Sequence, residues 1–277
     1  MLIWFVTGAS RGLGRALAEH ALERGDAVVA TARDPSRLAA ELGPDERVLT
    51  ATLDITDQGA AQAAVAAALE RFGRIDVLVN NAGRGLIGAV EEASEAEVLA
   101  VFENNVFGTL AVTRAVLPSM RERRAGTIVN VSSVGGMASR SGGGIYGGTK
   151  FAIEGISEAL HAELAPLGIR VVIVEPGAFR TDFHDPGSIR FSERVIDDYE
   201  ATAGEFRAAA VSTNHRQRGD PRKAAAAMIA VATAAAPPAR LVLGPDALTR
   251  IEAKLDQVRS DLAAWREVSV STDIAEG

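Results

Sequence analysis

Short apolar runs alternate with helix-length segments from the first residues of the chain. Leu2–Val6 is continuously apolar and stops at Thr7-Gly8, the pattern of a strand buried on both faces. Gly14–Arg24 places Ala16, Leu17, Ala21 and Leu22 at helical spacing, and Gly25 ends it. Ala27–Ala32 and Arg47–Leu53 read as the next buried strands, Gln58–Phe72 as an alanine-rich helix closed by Gly73, and Ile75–Asn80 as a fourth strand. Val98–Met120 predicts a long helix with Pro118 as its breaker. Thr127–Ser132 and Ile169–Val174 are strands, with the helix Tyr146–Leu164 between them and Pro176-Gly177 turning the chain after the second.

Strands separated by helices imply βαβ units, and right-handed crossovers then put helices on both faces of a parallel sheet. The expected fold class is α/β, a doubly wound, Rossmann-like parallel sheet forming one domain over 1–277. The texture changes at Ala178. Residues 178–220 are polar, with scattered aromatics and no clean period, too long for an ordinary connection. They read as a substrate lid with short helices of its own, or as a partly mobile segment. Pro221–Ala235 returns to helix, Arg240–Leu243 is a short strand, and Pro245–Trp265 is amphipathic, so 245–268 forms a C-terminal helix extension. Residues 270–277 are expected to fray.

Composition narrows the partners. Hydrophobic residues make up 47% of the chain, enough for a large core, and the formal net charge of −7 disfavours nucleic acid. The absence of cysteine removes disulfides, thiol nucleophiles and thiolate metal sites. No apolar run approaches the roughly 20 residues that span a bilayer. The chain opens straight into a strand without a basic stretch and cleavage site, so it is expected to be cytoplasmic and unattached to membrane.

The first strand–helix turn reads Thr7-Gly8-Ala9-Ser10-Arg11-Gly12-Leu13-Gly14. Glycines let the backbone approach a pyrophosphate, and the helix start offers free N–H groups and a favourable dipole. The spacing G-x-x-x-G-x-G differs from the G-x-G-x-x-G fingerprint, so the strand–turn–helix context carries the dinucleotide reading. A carboxylate at the tip of the second strand would bind the ribose hydroxyls of NAD. The tip here is Ala30-Thr31-Ala32-Arg33, and Arg11 can face the same pocket. Two guanidiniums suit a 2′-phosphate, so NADP(H) is the expected cofactor. The plainer alternative makes both arginines solvated, with Asp34 pairing Arg33.

Together with the motifs that follow, this loop resembles the short-chain dehydrogenase/reductase family, in its short single-domain, NADP(H)-preferring form. The resemblance is good over residues 2–181 and weak beyond. Its motifs stand in order: Thr7 to Gly14, the adenine-contacting Asp54-Ile55, the turn Asn80-Asn81-Ala82-Gly83, and the helix asparagine Asn105 in Asn105-Val106-Phe107-Gly108. Then come Ser133, Tyr146 with Lys150, and Pro176-Gly177 with Phe179 and Thr181. Ser133 is chosen over Ser132 because it lies thirteen residues before Tyr146, and Asn105 over Asn104 by the N-x-x-G frame. The resemblance implies Asn105, Ser133, Tyr146 and Lys150 as catalytic residues. It implies cofactor contacts at Gly8, Ser10, Arg11, Gly12, Leu13, Gly14, Arg33, Asp54, Ile55, Asn81, Ala82, Gly83, Tyr146, Lys150, Pro176, Gly177, Phe179 and Thr181. It further implies a homodimer or homotetramer built on the helices near 98–120 and 146–164.

The chemistry follows from the groups. Tyr146 and Lys150 are four apart on one helix, hence on one face. A phenol is a poor base near neutral pH, and a neighbouring ammonium is expected to lower its pKa. Tyr146 can then give a proton to a carbonyl oxygen or take one from an alcohol. Ser133 holds that oxygen, Lys150 also binds the nicotinamide ribose, and Asn105 holds a water passing protons toward Lys150, as the resemblance implies. The expected activity is NADPH-dependent reduction of a ketone or aldehyde on a small to medium hydrophobic substrate, or the reverse oxidation.

Two rivals stand beside it: a ketoreductase for a carrier-bound 3-oxoacyl chain, and a non-catalytic NADP(H)-binding redox sensor. A carrier needs a basic patch, for which Arg121, Arg123 and Arg124 are candidates, although such clusters usually satisfy a helix C-terminus. A hydrolase is disfavoured because no G-x-S-x-G surrounds Ser133. His20, His161, His184 and His215 show no metal-ligand spacing, so no metal is expected. His184 lies in the lid, where substrate contact and plain packing are both open. Substrate contacts are expected from Arg84–Gly88, Val134–Ile145 and the lid. Met137, Phe179, Phe183, Phe191, Tyr199 and Phe206 either line an apolar chamber or pin the lid to the body.

Overall fold

The apolar runs assemble into one parallel sheet. The computed structural model describes residues 1–274. In chain order its elements are β1 (Ile3–Val6), α1 (Gly12–Glu23), β2 (Ala27–Ala32), α2 (Ser36–Leu42), β3 (Val48–Thr52), α3 (Gln58–Phe72), β4 (Val77–Asn80), β5 (Gly85–Ile87), α4 (Glu95–Phe102) and α5 (Thr109–Arg123). There follow β6 (Gly126–Val131), α6 (Gly144–Leu164), β7 (Ile169–Pro176), β8 (Ile189–Phe191), α7 (Glu205–Ser212), α8 (Pro221–Thr233), β9 (Arg240–Leu243), α9 (Pro245–Ala264) and α10 (Arg266–Val270).

Seven strands pair in the order β3-β2-β1-β4-β6-β7-β9. Every pairing is parallel, with registers such as Phe5 opposite Val29 and Leu78. The winding reverses between β1 and β4, and such a switch point opens a crevice at the carboxyl ends of the strands. Alternation along β1 divides the core. Trp4 and Val6 pack with Leu17 of α1 and with Met228 and Ile229 of α8. Ile3 and Phe5 pack with Val65 of α3 and with Val112 and Val116 of α5. At about 25 cal/mol per Å² of apolar surface, burying these side chains on both faces is the main stabilisation of the layers. The polar tip of Trp4 is satisfied at its Nε1, 3.2 Å from Asp26 Oδ2.

The long helix departs from the sequence reading. It starts at Glu95, behind a capping box in which Ser94 and Glu97 bond each other's backbone N–H. It passes through one π-helical stretch, Glu103–Gly108, and then runs as α5. Pro118 does not break it. The helix continues to Arg123 and stops at Arg124, whose φ of 52° is left-handed. The sequence pattern did not predict α2, where Asp34 Oδ1 accepts the Ser36 N–H at 2.9 Å and opens a short turn of helix. It also missed a second, two-stranded sheet, in which β5 pairs with β8 of the lid, Gly85 opposite Ile189.

Residues 178–220, the segment expected as a lid, carry short helices of their own, and the two ends of the segment are joined. Arg180 N–H donates to Gly219 O at 2.8 Å, and Gly219 N–H to Ala178 O at 3.1 Å. In the C-terminal extension, Ala247 and Ile251 of α9 pack on Val134, with Met137 and Val242 beside them. From Glu252 to Ile274 every residue is exposed. The segment expected to fray, 270–277, extends in its last three residues beyond the described residues.

Candidate active site

A cavity of about 440 Å³ opens at the carboxyl ends of the strands, beside the β1/β4 switch. One end is the glycine loop. Gly8 has φ +65°, a conformation that side chains resist. A Cβ on Gly14 would stand 2.4 Å from Asn81 Nδ2 and 2.6 Å from Gly8 O, so only glycine fits there. Asn81 Nδ2 donates to Thr7 O at 2.9 Å and to Gly8 O at 3.1 Å, tying the turn after β4 to this loop. No side chain caps the start of α1. Its first N–H groups thus face a cradle that the glycines keep clear, and the residues present fit a dinucleotide pyrophosphate.

The two arginines expected to share a phosphate both line this cavity. Arg33 is exposed at the end of β2, with Asp54 near enough for their charges to interact. Asp34 does not pair with it, because its carboxylate turns to Ser36. The Arg11 guanidinium lies against Gly187 of the lid, where a Cβ would meet Nη1 at 2.8 Å, and its charge reaches Asp185. Asp54 accepts from Thr56 N at 3.0 Å and Thr56 Oγ1 at 2.8 Å, and with Arg33 and Arg84 these bonds hold its carboxyl below the usual range. All four side chains, with Ile55, Ala82, Gly83, Phe179 and Thr181, line the cavity.

Ser133, Tyr146 and Lys150 meet further along. Ser133 Oγ accepts the Gly135 N–H at 3.0 Å, and Ser133 partly offsets the effect of burial on the Tyr146 phenol. Ser132, on the opposite strand face, turns instead toward Glu154. Lys150 Nζ stands 5.8 Å from the Tyr146 ring centre and donates to Val131 O at 2.8 Å. Phe183 of the lid covers the tyrosine, ring centres 5.9 Å apart.

The expected lowering of the tyrosine pKa is reversed among the chain's own groups. Burial pushes the Tyr146 phenol up to about 12, offset only in part by Ser133. Burial also lowers Lys150 to about 8, with Glu154 opposing. One N–H of the ammonium donates to Val131 O, and burial outweighs its neighbourhood at the phenol. Tyr146 therefore keeps its proton through the neutral range, which suits a proton donor.

Asn105 sits in the π-helical stretch, a local widening that often marks functional sites. Its Oδ1 accepts the Arg84 N–H at 2.9 Å, and its Nδ2 donates to Arg84 O at 2.9 Å and Thr149 Oγ1 at 3.0 Å. This side chain is spent on the protein. It locks the loop after β4 to α6, while its neighbour Asn104 reaches the cavity lining.

The expected substrate loops contribute unequally. Phe179, Phe183, His184 and Phe206 line the cavity. Met137 packs under α9, Phe191 joins the lid's apolar cluster, and Tyr199 donates to Glu91 at 2.7 Å. His184 is held by Ala210 O, and burial lowers its pKa, so it is neutral. Asp182, Asp185 and His215 gather within 4.8 Å on the lid, where Asn214 and His215 already bond the Asp185 carboxylate. Arg123 bonds Ile75 O and Ala125 O, and Arg124 bonds Pro166 O, so these two close a helix end away from the cavity. The sequence reading missed Asp246 and Arg250 of the cavity wall. Their i, i+4 spacing at the start of a Pro-initiated helix was the available signal.

A Rossmann-type sheet, a glycine cradle and a Tyr–Lys–Ser cluster sharing one cavity define a nicotinamide-dependent oxidoreductase acting on carbonyl or CH–OH groups. The short chain dehydrogenase profile matches residues 3–188, and the chain belongs to that family. It is 39% identical over 272 residues to the oxidoreductase BOA17 of Botryotinia fuckeliana, covering 98% of each chain. It is 38% identical over 245 residues to the 3-ketodihydrosphingosine reductase of Bacteroides thetaiotaomicron, covering 88% of each. A solved short-chain dehydrogenase from Streptomyces avermitilis superimposes with TM-score 0.90 at 46% identity, covering 99% of this chain and all 100% of that one. The 3-ketoacyl-(acyl-carrier-protein) reductase of Brucella melitensis, solved with NADH, gives 0.72 at 29% identity, covering 87% and 96%.

Proposed function

We propose that the protein reduces a ketone or aldehyde to an alcohol with NADPH, or runs the reverse oxidation. The observation that carries this is the single cavity joining the glycine cradle to the hydroxyls of Ser133 and Tyr146. When bound, the dinucleotide supplies the hydride. Ser133 orients the carbonyl oxygen, and Tyr146 delivers a proton to it as the alcohol forms. Lys150, beside the phenol, anchors the ribose and resupplies the proton. Asn105 acts by positioning, through the Arg84 backbone and Thr149. Phe183 and Phe206 exclude water from an apolar substrate body.

Exposed Leu99, Phe107 and Phe151, on α4, the π-helical stretch and α6, support pairing with further copies through that face. No helix among the described residues is long and apolar enough to cross a membrane.

A second reading has its own support. Arg140 stacks on Phe206, 3.6 Å from the ring centre, and Arg250 donates to Ala138 O, yet neither forms an ion pair among the described residues. Both line the cavity, and Asp246 is the carboxylate whose charge reaches both. Two such cations suit the phosphate of a carrier-bound 3-oxoacyl substrate.

One experiment addresses cofactor and substrate. Nicotinamide fluorescence titrations with NADPH and NADH are run on the wild type and Arg33→Ala. NADPH is expected to bind more tightly, by about tenfold or more, and the preference is expected to collapse in the variant. Equal binding in the wild type contradicts the phosphate-clamp reading. The preferred cofactor is then offered simple ketones and a 3-oxoacyl thioester, and the faster class decides between the two substrates.

A further inference from the structure

The exposed C-terminal helix carries a regular seam. Leu248, Ile251, Leu255, Val258, Leu262 and Trp265 follow at spacings of three and four, the a and d positions of a heptad. Ile251 is buried against the body. Leu248, Leu255, Val258, Leu262 and Trp265 are 47%, 39%, 38%, 65% and 65% exposed, in line along α9 and its end. A helix with leucine and tryptophan on one face and Lys, Arg, Asp and Glu on the others is built to be covered.

The charges beside the seam say what covers it. Glu252, Arg259 and Arg266 flank it on one side, Lys254 and Asp261 on the other. With a second α9 laid antiparallel, the exposed Leu255 meets the partner's Val258 and the exposed Trp265 meets the partner's Leu248, while each Ile251 stays on its own body. That register sets Glu252 beside the partner's Arg259 and Lys254 beside the partner's Asp261. Both pairs are opposite in sign, and two-fold symmetry repeats each. A parallel pairing would set Lys254 against the partner's Arg259, a like-charge contact, and leave Asp261 with the partner's Arg266 as its one opposite-charge pair, so the antiparallel register is the one with no repulsive contact. Among the described residues, Arg259 meets only Asp256 at 3.1 Å, both 74% exposed, and Asp261 accepts from Gln257 at 2.8 Å. Exposed contacts of this kind are readily exchanged.

We infer that α9 is a self-association element that pairs antiparallel with α9 of a second copy of this chain. This surface is distinct from the α4–α6 face, so the two can coexist in one assembly.

Light scattering across a concentration series tests it with full-length protein. Leu255→Glu/Leu262→Glu, at exposed positions that leave the fold intact, is expected to halve the mass seen for the wild type. Arg259→Glu is expected to weaken association at least tenfold, because it meets the partner's Glu252, and adding Glu252→Arg is expected to restore it. Strengthening by Arg259→Glu alone indicates parallel pairing and overturns the orientation. An unchanged mass in the leucine double variant overturns the inference. So does sedimentation of the wild type with phosphatidylglycerol/phosphatidylcholine vesicles that the double variant loses while its mass stays the same, since the seam then faces a membrane.

Discussion

Tyr146→Phe binds the dinucleotide as the wild type does and loses carbonyl reduction by about a thousandfold or more. General acid catalysis contributes roughly 10² to 10⁴ in rate, and this substitution removes the proton while keeping the ring. The ring carries separate duties. It packs beneath Phe183 and leaves Lys150 bonded to Val131 O, and neither contact uses the hydroxyl. Ser133 Oγ is held by the Gly135 N–H at 3.0 Å, a bond that does not need the Tyr146 hydroxyl. Turnover at 340 nm and nicotinamide fluorescence separate the two effects. Retention of more than a tenth of the wild-type rate would remove Tyr146 from the chemistry. Loss of binding together with rate would point to a structural tyrosine.

Glu175→Gln makes the protein more stable at pH 8 and leaves it nearly unchanged at pH 4. Glu175 ends β7 fully buried, and neither carboxyl oxygen has a hydrogen-bond partner. The Arg240 guanidinium lies 3.1 Å from it, 3.1 Å from buried Glu154 and 2.6 Å from Glu158, so one cation serves three carboxyls. Burial first, and then the charge of Glu154, pushes Glu175 up to about 7 from its ordinary 4.5. A carboxyl that binds its proton more tightly in the folded state favours folding at low pH. That contribution is full below the unfolded value and is lost as pH rises through about 7. At 1.36 kcal/mol per pKa unit the loss is about 3 kcal/mol. Glutamine imitates the protonated acid, so the variant escapes it. Urea unfolding at pH 4 and 8 reads the effect as a variant-minus-wild-type difference, near zero at pH 4 and about 3 kcal/mol at pH 8. Equal differences at both values would mean that Glu175 is ionised throughout.

The alternation of apolar runs made the sheet and its helices legible, because strands buried on both faces leave few other readings. Chain ends and breaks were less so. Pro118 looks like a stop from its chemistry, yet α5 carries it and runs on to Arg123, stopping at left-handed Arg124. The π-helical stretch at Asn105 has no local sequence signature. It lies where the asparagine side chain bonds Arg84 and Thr149. In the site, spacing led to Ser133, Tyr146 and Lys150, which do converge. Electrostatics were not legible. An ammonium four residues from a phenol suggests a lowered pKa, but only coordinates reveal that Lys150 is turned to a carbonyl and that burial dominates. Arg11 could not be assigned from its loop either, since the lid residue Gly187 it rests on lies 176 residues away in the chain. Asp246 and Arg250 reach the cavity because α9 docks through Ala247 and Ile251, a tertiary event that helical periodicity alone does not orient.

The most direct measurement follows a hydrogen atom. A ketone is reduced in the presence of NADPH deuterated at either face of nicotinamide C4, and the alcohol is weighed by mass spectrometry. Hydride transfer in this cavity predicts one deuterium on the carbinol carbon from one of the two faces. An alcohol formed without deuterium from either face would contradict it.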